Sequence, residues 1–246
     1  MKYILLTSFV ALAAFIDVFA QELLVVKLKG GANYKYNVED ISQMTLRSSE
    51  EDLICPDNHH PHGIDLGLPS GTKWACCNIG AISPEETGGY YAWGEIEEKE
   101  EYSWSTYKHC NGSSYSCQDI GDDIAQTAYD VASIEWKGSW RMPSWRMPSI
   151  DQIKELFNYC SREWVTLNGM KGLLLVGSNG YSIFLPAAGR RYYDDLDGKW
   201  VDGYYWSSSL YIDRLTGAYG VHFNSSSYNW GYGARSDGFS VRAVCP

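Results

Sequence analysis

Residues 173–185 read LLLVGSNGYSIFL, two apolar runs separated by a Gly-Ser-Asn-Gly turn. Glycine and asparagine adopt the backbone conformations that tight turns need, and apolar runs on either side of such a turn are typical of a β-hairpin. The later run YYWSSS, at residues 204–209, has the composition of a further strand. This part of the chain therefore predicts a sheet built from hairpins.

An amphipathic helix is predicted just before this hairpin, at residues 150–159. Ser149 is followed three residues later by Gln152, which is the capping-box pattern at the start of a helix. Four apolar residues then recur at helical spacing, namely Ile150, Ile153, Leu156 and Phe157. A second helix is predicted between Asp122 and Ala132. The fold class that follows is α+β, with about two helices first and a hairpin-rich antiparallel sheet later.

Residues 224–237, NSSSYNWGYGARSD, form a polar and aromatic segment in which ten of fourteen residues are Ser, Tyr, Gly or Asn. Tyrosine and tryptophan offer large, stiff contact area, and Ser, Gly and Asn supply adaptable hydrogen bonds, as in surfaces that grip a partner. The flanking runs 218–223 and 239–244 alternate like strands. We therefore expect an exposed loop between two strands.

The start of the chain indicates export. Residues 1–20 combine an early lysine, an apolar run and a small residue at Ala20, which predicts a secretory signal peptide cleaved after that residue. Residues 21–52 are predicted to form a short β-hairpin, turning at Gly30 and Gly31, and a linker. A lone hairpin is marginal in water, so it has to dock on the main domain or on a strand-addition partner. Residues 53–246 remain for the main domain, and the predicted location is the periplasm, the cell surface or the medium.

The charge balance argues against nucleic acid as a partner. Thirty acidic side chains face twenty basic ones, which gives a formal net charge of −10, and no basic stripe is present. No segment beyond the signal has the length of apolar sequence that a membrane span needs. The predicted partner is therefore neither nucleic acid nor a lipid bilayer.

Seven cysteines in a chain expected to be exported predict some disulfides, and the odd number leaves at least one cysteine outside any intramolecular pair. The spacing alone does not determine which cysteines pair.

Six motifs occur in an order that resembles the Fibrobacter succinogenes major paralogous domain family. They are DLGLPSGTKWACCNIGA (65–81), GGYYAWGE (88–95), GSWRMPS (138–144), IFLPAAG (183–189), YYWSSS (204–209) and FSVRAVCP (239–246). The resemblance covers about residues 60–246 and implies a C-type lectin-like fold, related to that of formylglycine-generating sulfatase-modifying factors. It also implies that Trp74, Trp93 and Trp206 belong to the core.

The resemblance carries two further implications and one departure. The first and last strands of such a domain come together, which would bring Cys76 and Cys77 near Cys245 and allow one of them to bridge to it. The motif WRMPS occurs twice in succession, at residues 140–144 and 145–149, whereas the family has one such element. Only one of the two copies can occupy the position that this element has in the family.

The motifs of catalysis and of metal binding are missing. Formylglycine-generating enzymes rely on a C-terminal cysteine pair, but only Cys245 follows Cys160, and GxSxG, HExxH and the calcium motifs of sugar-binding C-type lectins do not occur. His59, His60 and His62, and the carboxylates of DDLDG at 194–198, are better explained as solvated loops than as metal ligands. The sequence therefore predicts a protein that is not an enzyme and has no cofactor or metal site.

The leading functional hypothesis is an exported adhesin-like protein that binds a glycan or a surface protein. The predicted ligand-binding residues are Tyr228, Asn229, Trp230, Tyr232, Arg235 and Asp237. A structural or fimbria-like assembly subunit is the alternative, and an enzyme of the formylglycine-generating type is a remote one.

Overall fold

The computed structural model describes residues 61–137 and 144–246, together with the backbone of three strands within the first 37 residues. The chain divides into two compact units, residues 1–47 and residues 48–246. In the described ranges no helix has the length and apolar character needed to cross a membrane.

The strands are short, and all of the paired ones run antiparallel. In chain order they are β1 (Asp17–Phe19), β2 (Leu23–Lys27), β3 (Asn33–Asn37), β4 (Gly63–Asp65), β5 (Lys73–Ala75), β6 (Ser161–Leu167), β7 (Met170–Val176), β8 (Ser182–Pro186), β9 (Arg190–Tyr192), β10 (Asp195–Asp197), β11 (Gly203–Leu210), β12 (Gly217–Phe223), β13 (Tyr228–Ala234) and β14 (Val244–Cys245). They form the sheets β1-β2-β3, β14-β5-β4, β6-β7-β8, β10-β9 and β11-β12-β13. With the helices α1 (Val131–Glu135) and α2 (Ile150–Tyr159), the class is α+β as predicted.

The predicted N-terminal hairpin is present as the pair β2 and β3, in which Val25 lies opposite Lys35. Strand β1 adds to the other side of β2, so the described residues of this unit include three strands rather than two. Strand β1 falls at the end of the predicted signal peptide, whose cleavage remains a prediction. A strand-addition partner for this unit also remains a prediction.

Helix α2 has the bounds that its sequence predicts. The Ser149 hydroxyl accepts a hydrogen bond from the backbone N–H of Gln152, and the Gln152 side chain accepts one from the backbone N–H of Ser149. The helix buries the four predicted apolar residues against strands β11 and β12. It therefore anchors the sheet that carries the candidate site.

The prediction of a helix between Asp122 and Ala132 is wrong, because α1 begins only at Val131. Asp130 caps this helix, since its carboxylate accepts hydrogen bonds from the backbone N–H groups of Ala132 and Ser133. The same carboxylate accepts from Gln126 and Met147. These bonds hold the preceding residues in turns and start the helix after Asp130.

The hairpin of residues 173–185 is confirmed by β7 and β8, and YYWSSS lies within β11 as predicted. The run 239–244 is not the regular strand predicted. Phe239 and Ser240 make isolated bridges to Tyr91 and Tyr205, and regular pairing begins only at Val244, opposite Trp74. The first and last strands of residues 61–246 therefore do come together, as the resemblance implies.

The second WRMPS copy holds a structural place. Trp145 and Met147 are buried in the core, and Ser149 caps α2. Most of the first copy lies outside the described residues. Trp74, Trp93 and Trp206 are buried, as predicted.

The expected bridge from Cys76 or Cys77 to Cys245 is wrong. Cys245 lies opposite Lys73, so Cys76 sits three residues further along the strand direction, about 10 Å away, beyond the reach of a disulfide. Cys245 is a free thiol, and the disulfide in the described ranges joins Cys110 and Cys117.

Candidate functional site

Residues 224–237 form a turn, a strand and a buried segment, so the prediction that they form one loop is wrong. Strand β13 pairs with β12 along its whole length, from Tyr228 opposite Phe223 to Ala234 opposite Gly217. Aromatic residues and small or polar ones alternate along YNWGYGA, a period-2 pattern that suits a strand with two different faces. The backbone groups that a loop would leave to water are thereby used in the ladder.

One face of β13 carries the aromatic row, which we define as Tyr228, Trp230 and Tyr232. Tyr228 is 37% exposed and Tyr232 is 50% exposed, while Trp230 is half-buried. The ring of Phe157 in α2 lies 5.2 Å from the Tyr228 ring and 5.9 Å from the Trp230 ring, centroid to centroid. Phe157 therefore supports Tyr228 and Trp230 on the side of the core, and the other side of the row is accessible to solvent.

Arginines and a further tyrosine flank the aromatic row. The Arg162 guanidinium lies 4.5 Å from the Tyr228 ring centroid, and the Arg214 guanidinium lies 5.9 Å from that of Tyr232. The Tyr211 ring stacks on Tyr232 at 4.3 Å. Cation–π contacts of this kind place both arginines beside partly exposed rings, where they can also donate hydrogen bonds to a partner.

The turn at residues 224–227 is rigid and borders a cavity. The Asn224 side-chain oxygen accepts hydrogen bonds from the backbone N–H groups of Ser226 and Ser227, which fixes the turn. A cavity of about 210 Å³ lies beside it, lined by Arg162, Trp164, Leu173, Phe223, Tyr228 and the turn itself. Arg162 and Trp164 were not predicted as site residues, although both stand in the alternating run SREWVTL that forms β6.

The predicted display of Arg235 at the surface is wrong. The side chain is buried. Its Nε donates a hydrogen bond to the Tyr107 hydroxyl, and its Nη1 donates to the carbonyls of Gln118 and Leu215. Its guanidinium also lies 4.8 Å from the Trp93 ring centroid. Arg235 therefore holds three loops together and is out of reach of a partner.

Asp237, which was predicted as a ligand-binding residue, is buried as well. One carboxylate oxygen lies 3.4 Å from Nη1 of Arg190, and the other has no hydrogen-bond partner among the described residues. Burial raises the pKa of this carboxyl group to about 6, against the opposing attraction of Arg190. Asp237 is therefore a buried structural carboxyl group.

Asn229 lies on the face of β13 opposite the aromatic row. Its partner across the strands is His222, whose Nε2 lies 2.8 Å from an oxygen of Asp202. The structure thus brings Tyr228, Trp230 and Tyr232 together and separates Asn229, Arg235 and Asp237 from them.

Two buried tyrosines with raised pKa values have structural hydrogen-bond partners. Burial raises the pKa of Tyr205 to about 12, and its hydroxyl donates to the carbonyl of Pro186. Burial likewise raises the pKa of Tyr107, whose hydroxyl donates to the carbonyl of Trp93. In the part of the chain that the structure describes, no group of three His, Cys, Asp or Glu side chains is arranged to hold a metal ion. His59 and His60 lie outside that part.

No family model, curated protein or solved structure matches this chain. The resemblance drawn from the six motifs therefore remains a prediction, and no residue role is transferred from a relative.

Proposed function

We propose that this chain is a noncatalytic, exported recognition protein that binds a protein partner through the aromatic row. The observation that carries the proposal is the placement of Tyr228, Trp230 and Tyr232 on one face of an outer strand, with arginines over the rings of Tyr228 and Tyr232. The scaffold we propose is C-type lectin-like, which the pairing of β14 with β5 supports.

The composition and exposure of the row support recognition. Tyrosine, tryptophan and arginine dominate the binding energy of protein interfaces, and the two aromatic residues bury large area at low entropic cost. Phe157 packs against the rings of Tyr228 and Trp230, and Tyr211 stacks on Tyr232, so a partner does not have to order the three rings first. Preorganised rings of this kind are typical of a binding surface.

The length of the row favours a protein over a single sugar unit. Tyr228 and Tyr232 are four residues apart on one strand, which spaces their Cα atoms about 13 Å apart. Strand β13 also stands at the edge of its sheet, and edge strands present backbone groups to which a partner's chain can bond. A protein surface can use both the rings and this edge.

The test is a double substitution, Tyr228→Ser with Tyr232→Ser, which leaves the more deeply packed Trp230 in place. Labelled wild-type protein and the variant are applied to an array of bacterial surface proteins and to a glycan array. We expect saturable binding to a protein, and at least about tenfold weaker binding by the variant.

The matched control is Tyr115→Ser with Tyr181→Ser, which removes the same atoms from two exposed sites away from β13. It should bind as the wild type does. Binding only to glycans, lost in the β13 variant, would replace the protein partner by a glycan. Binding that survives the substitutions in β13 would refute the aromatic row as the site.

A further inference from the structure

Trp200 occupies a position that neither burial nor backbone preference explains. It lies in the turn between β10 and β11, it is 52% exposed, and its φ angle is +67°. A positive φ brings Cβ against the following carbonyl, so glycine or asparagine is the usual residue there. The turn is nevertheless fixed, because the Trp200 N–H donates to the carbonyl of Ala187 at 2.7 Å. The indole is therefore presented to solvent by a rigid, sterically costly backbone.

Trp200 lines an open, shallow cleft of about 570 Å³. Two other parts of the chain complete its lining: the segment around Glu85 and Glu86, and the β6–β7 turn at Asn168 and Gly169. This volume lies within the range of small-molecule binding sites. The cleft and the aromatic row have no lining residue in common.

Charges of both signs line the cleft. The Lys199 ammonium lies 5.1 Å from the Trp200 ring centroid, and the Asn168 amide donates to the Glu85 carboxylate at 2.9 Å. Glu86 is exposed and accepts from the N–H of Ile82. The two glutamates disfavour an anionic ligand, and the Lys199 ammonium over the indole disfavours a cationic group stacked on Trp200, so a neutral ligand avoids both repulsions.

We propose that this cleft binds a neutral saccharide, with one face of a sugar ring stacked on Trp200. The C–H groups on one face of a sugar ring pack against the electron-rich face of an indole. The hydroxyl groups around the ring both donate and accept, which matches carboxylate acceptors together with ammonium and amide donors. The site and its ligand class do not depend on the protein partner proposed for the aromatic row.

The experiment compares the wild-type protein with Trp200→Asn on an array of neutral, uronic-acid and amino-sugar oligosaccharides, followed by calorimetric titration of the oligosaccharides that bind. We expect the wild type to bind neutral sugars in preference to charged ones. The variant should bind them at least about tenfold more weakly. Its thermal midpoint should equal or exceed that of the wild type, because asparagine tolerates the positive φ.

Tyr193→Asn is the matched control. Tyr193 is also an aromatic residue at positive φ, +55°, and is 49% exposed, but it lies outside the cleft. This variant should keep full sugar binding, as should the double variant of Tyr228 and Tyr232. Unchanged sugar binding by Trp200→Asn, a preference for charged sugars, or no binding of neutral sugars by the wild type would overturn the proposal. A lowered thermal midpoint in Trp200→Asn would show that the indole is structural.

Discussion

Residues 224–234 and 235–245 are neighbouring segments of equal length with opposite environments. None of the first eleven is buried, although they include Tyr228, Trp230 and Tyr232, and all of the second eleven are buried, although they include Arg235, Asp237 and Arg242. The difference lies in the neighbours of each segment. Strand β13 pairs with β12 on one side, whereas the second segment contacts Tyr91, Tyr205 and Trp74 from several directions. Burial in this domain therefore follows position in the fold more closely than side-chain polarity.

The buried segment tolerates charge because oxygen atoms surround it. The Arg242 guanidinium donates to the Asn78 side chain and to the carbonyls of Ala75, Cys76 and Phe184, at 2.8 to 3.0 Å. These oxygens belong to two separate parts of the chain, residues 75–78 and Phe184 in β8. Arg242 therefore cross-links the core by hydrogen bonds where an apolar side chain would only fill space.

The largest expected effect is that of Arg242→Met. The substitution keeps a long apolar side chain but leaves four buried oxygen atoms without a donor, so we expect the free energy of unfolding to fall by about 3–5 kcal/mol. Arg214→Met, at an exposed position beside β13, is the control and should change stability by less than about 0.5 kcal/mol. Denaturant unfolding of both variants measures the difference. Equal effects would show that the hydrogen bonds of the buried Arg242 contribute no more to stability than an exposed arginine does.

A pH-dependent effect is expected at Asp237. Because its pKa is about 6 in the folded protein, above the ordinary 3.8, folding favours the protonated carboxyl group. Its contribution to stability is therefore complete below about pH 4 and is lost as the pH rises through 6. Asp237→Asn imitates the protonated form, so its stability relative to wild type should rise by up to about 3 kcal/mol between pH 4 and pH 7.

The measurement for Asp237 is urea unfolding of both proteins across that pH range. Asp195→Asn, an exposed carboxylate in β10, controls for the loss of one negative charge. A relative stability of Asp237→Asn that stays constant with pH would mean that the Asp237 carboxyl group is better solvated than its burial indicates.

The elements that were predicted correctly depend on residues that lie close together in the sequence. Ser149 and Gln152 lie within one turn of α2, and the Gly-Ser-Asn-Gly turn lies between the strands that it joins. Helix α1 was misplaced because its start depends on Asp130, whose carboxylate is also fixed by Met147, seventeen residues away. A window of local sequence does not contain that contact.

The candidate site could be predicted only in part, for the same reason. The alternation of Tyr228, Trp230 and Tyr232 is visible in the sequence, and in a strand it places the three rings on one face. Arg235 and Arg162 are the same residue type, but Arg235 is buried by Tyr107, Gln118 and Leu215, which are distant in sequence. The positive φ of Trp200 likewise depends on the turn that it closes against Ala187.

The smallest expected effect comes from adding a single methyl group to each of two glycines that lie in different environments. Gly220 and Gly231 lie directly opposite each other on β12 and β13. A Cβ at Gly231 would meet no atom within 4 Å, whereas one at Gly220 would lie 2.5 Å from the carbonyl oxygen of Tyr205. Gly231→Ala should therefore raise the free energy of unfolding by about 0.4–1 kcal/mol, through the entropy of the unfolded chain. Gly220→Ala should lower it by about 1–3 kcal/mol, through overpacking. Opposite signs in denaturant unfolding would place the boundary between the open and the packed environment between these two strands, and equal signs would show that β13 is as closely covered as β12.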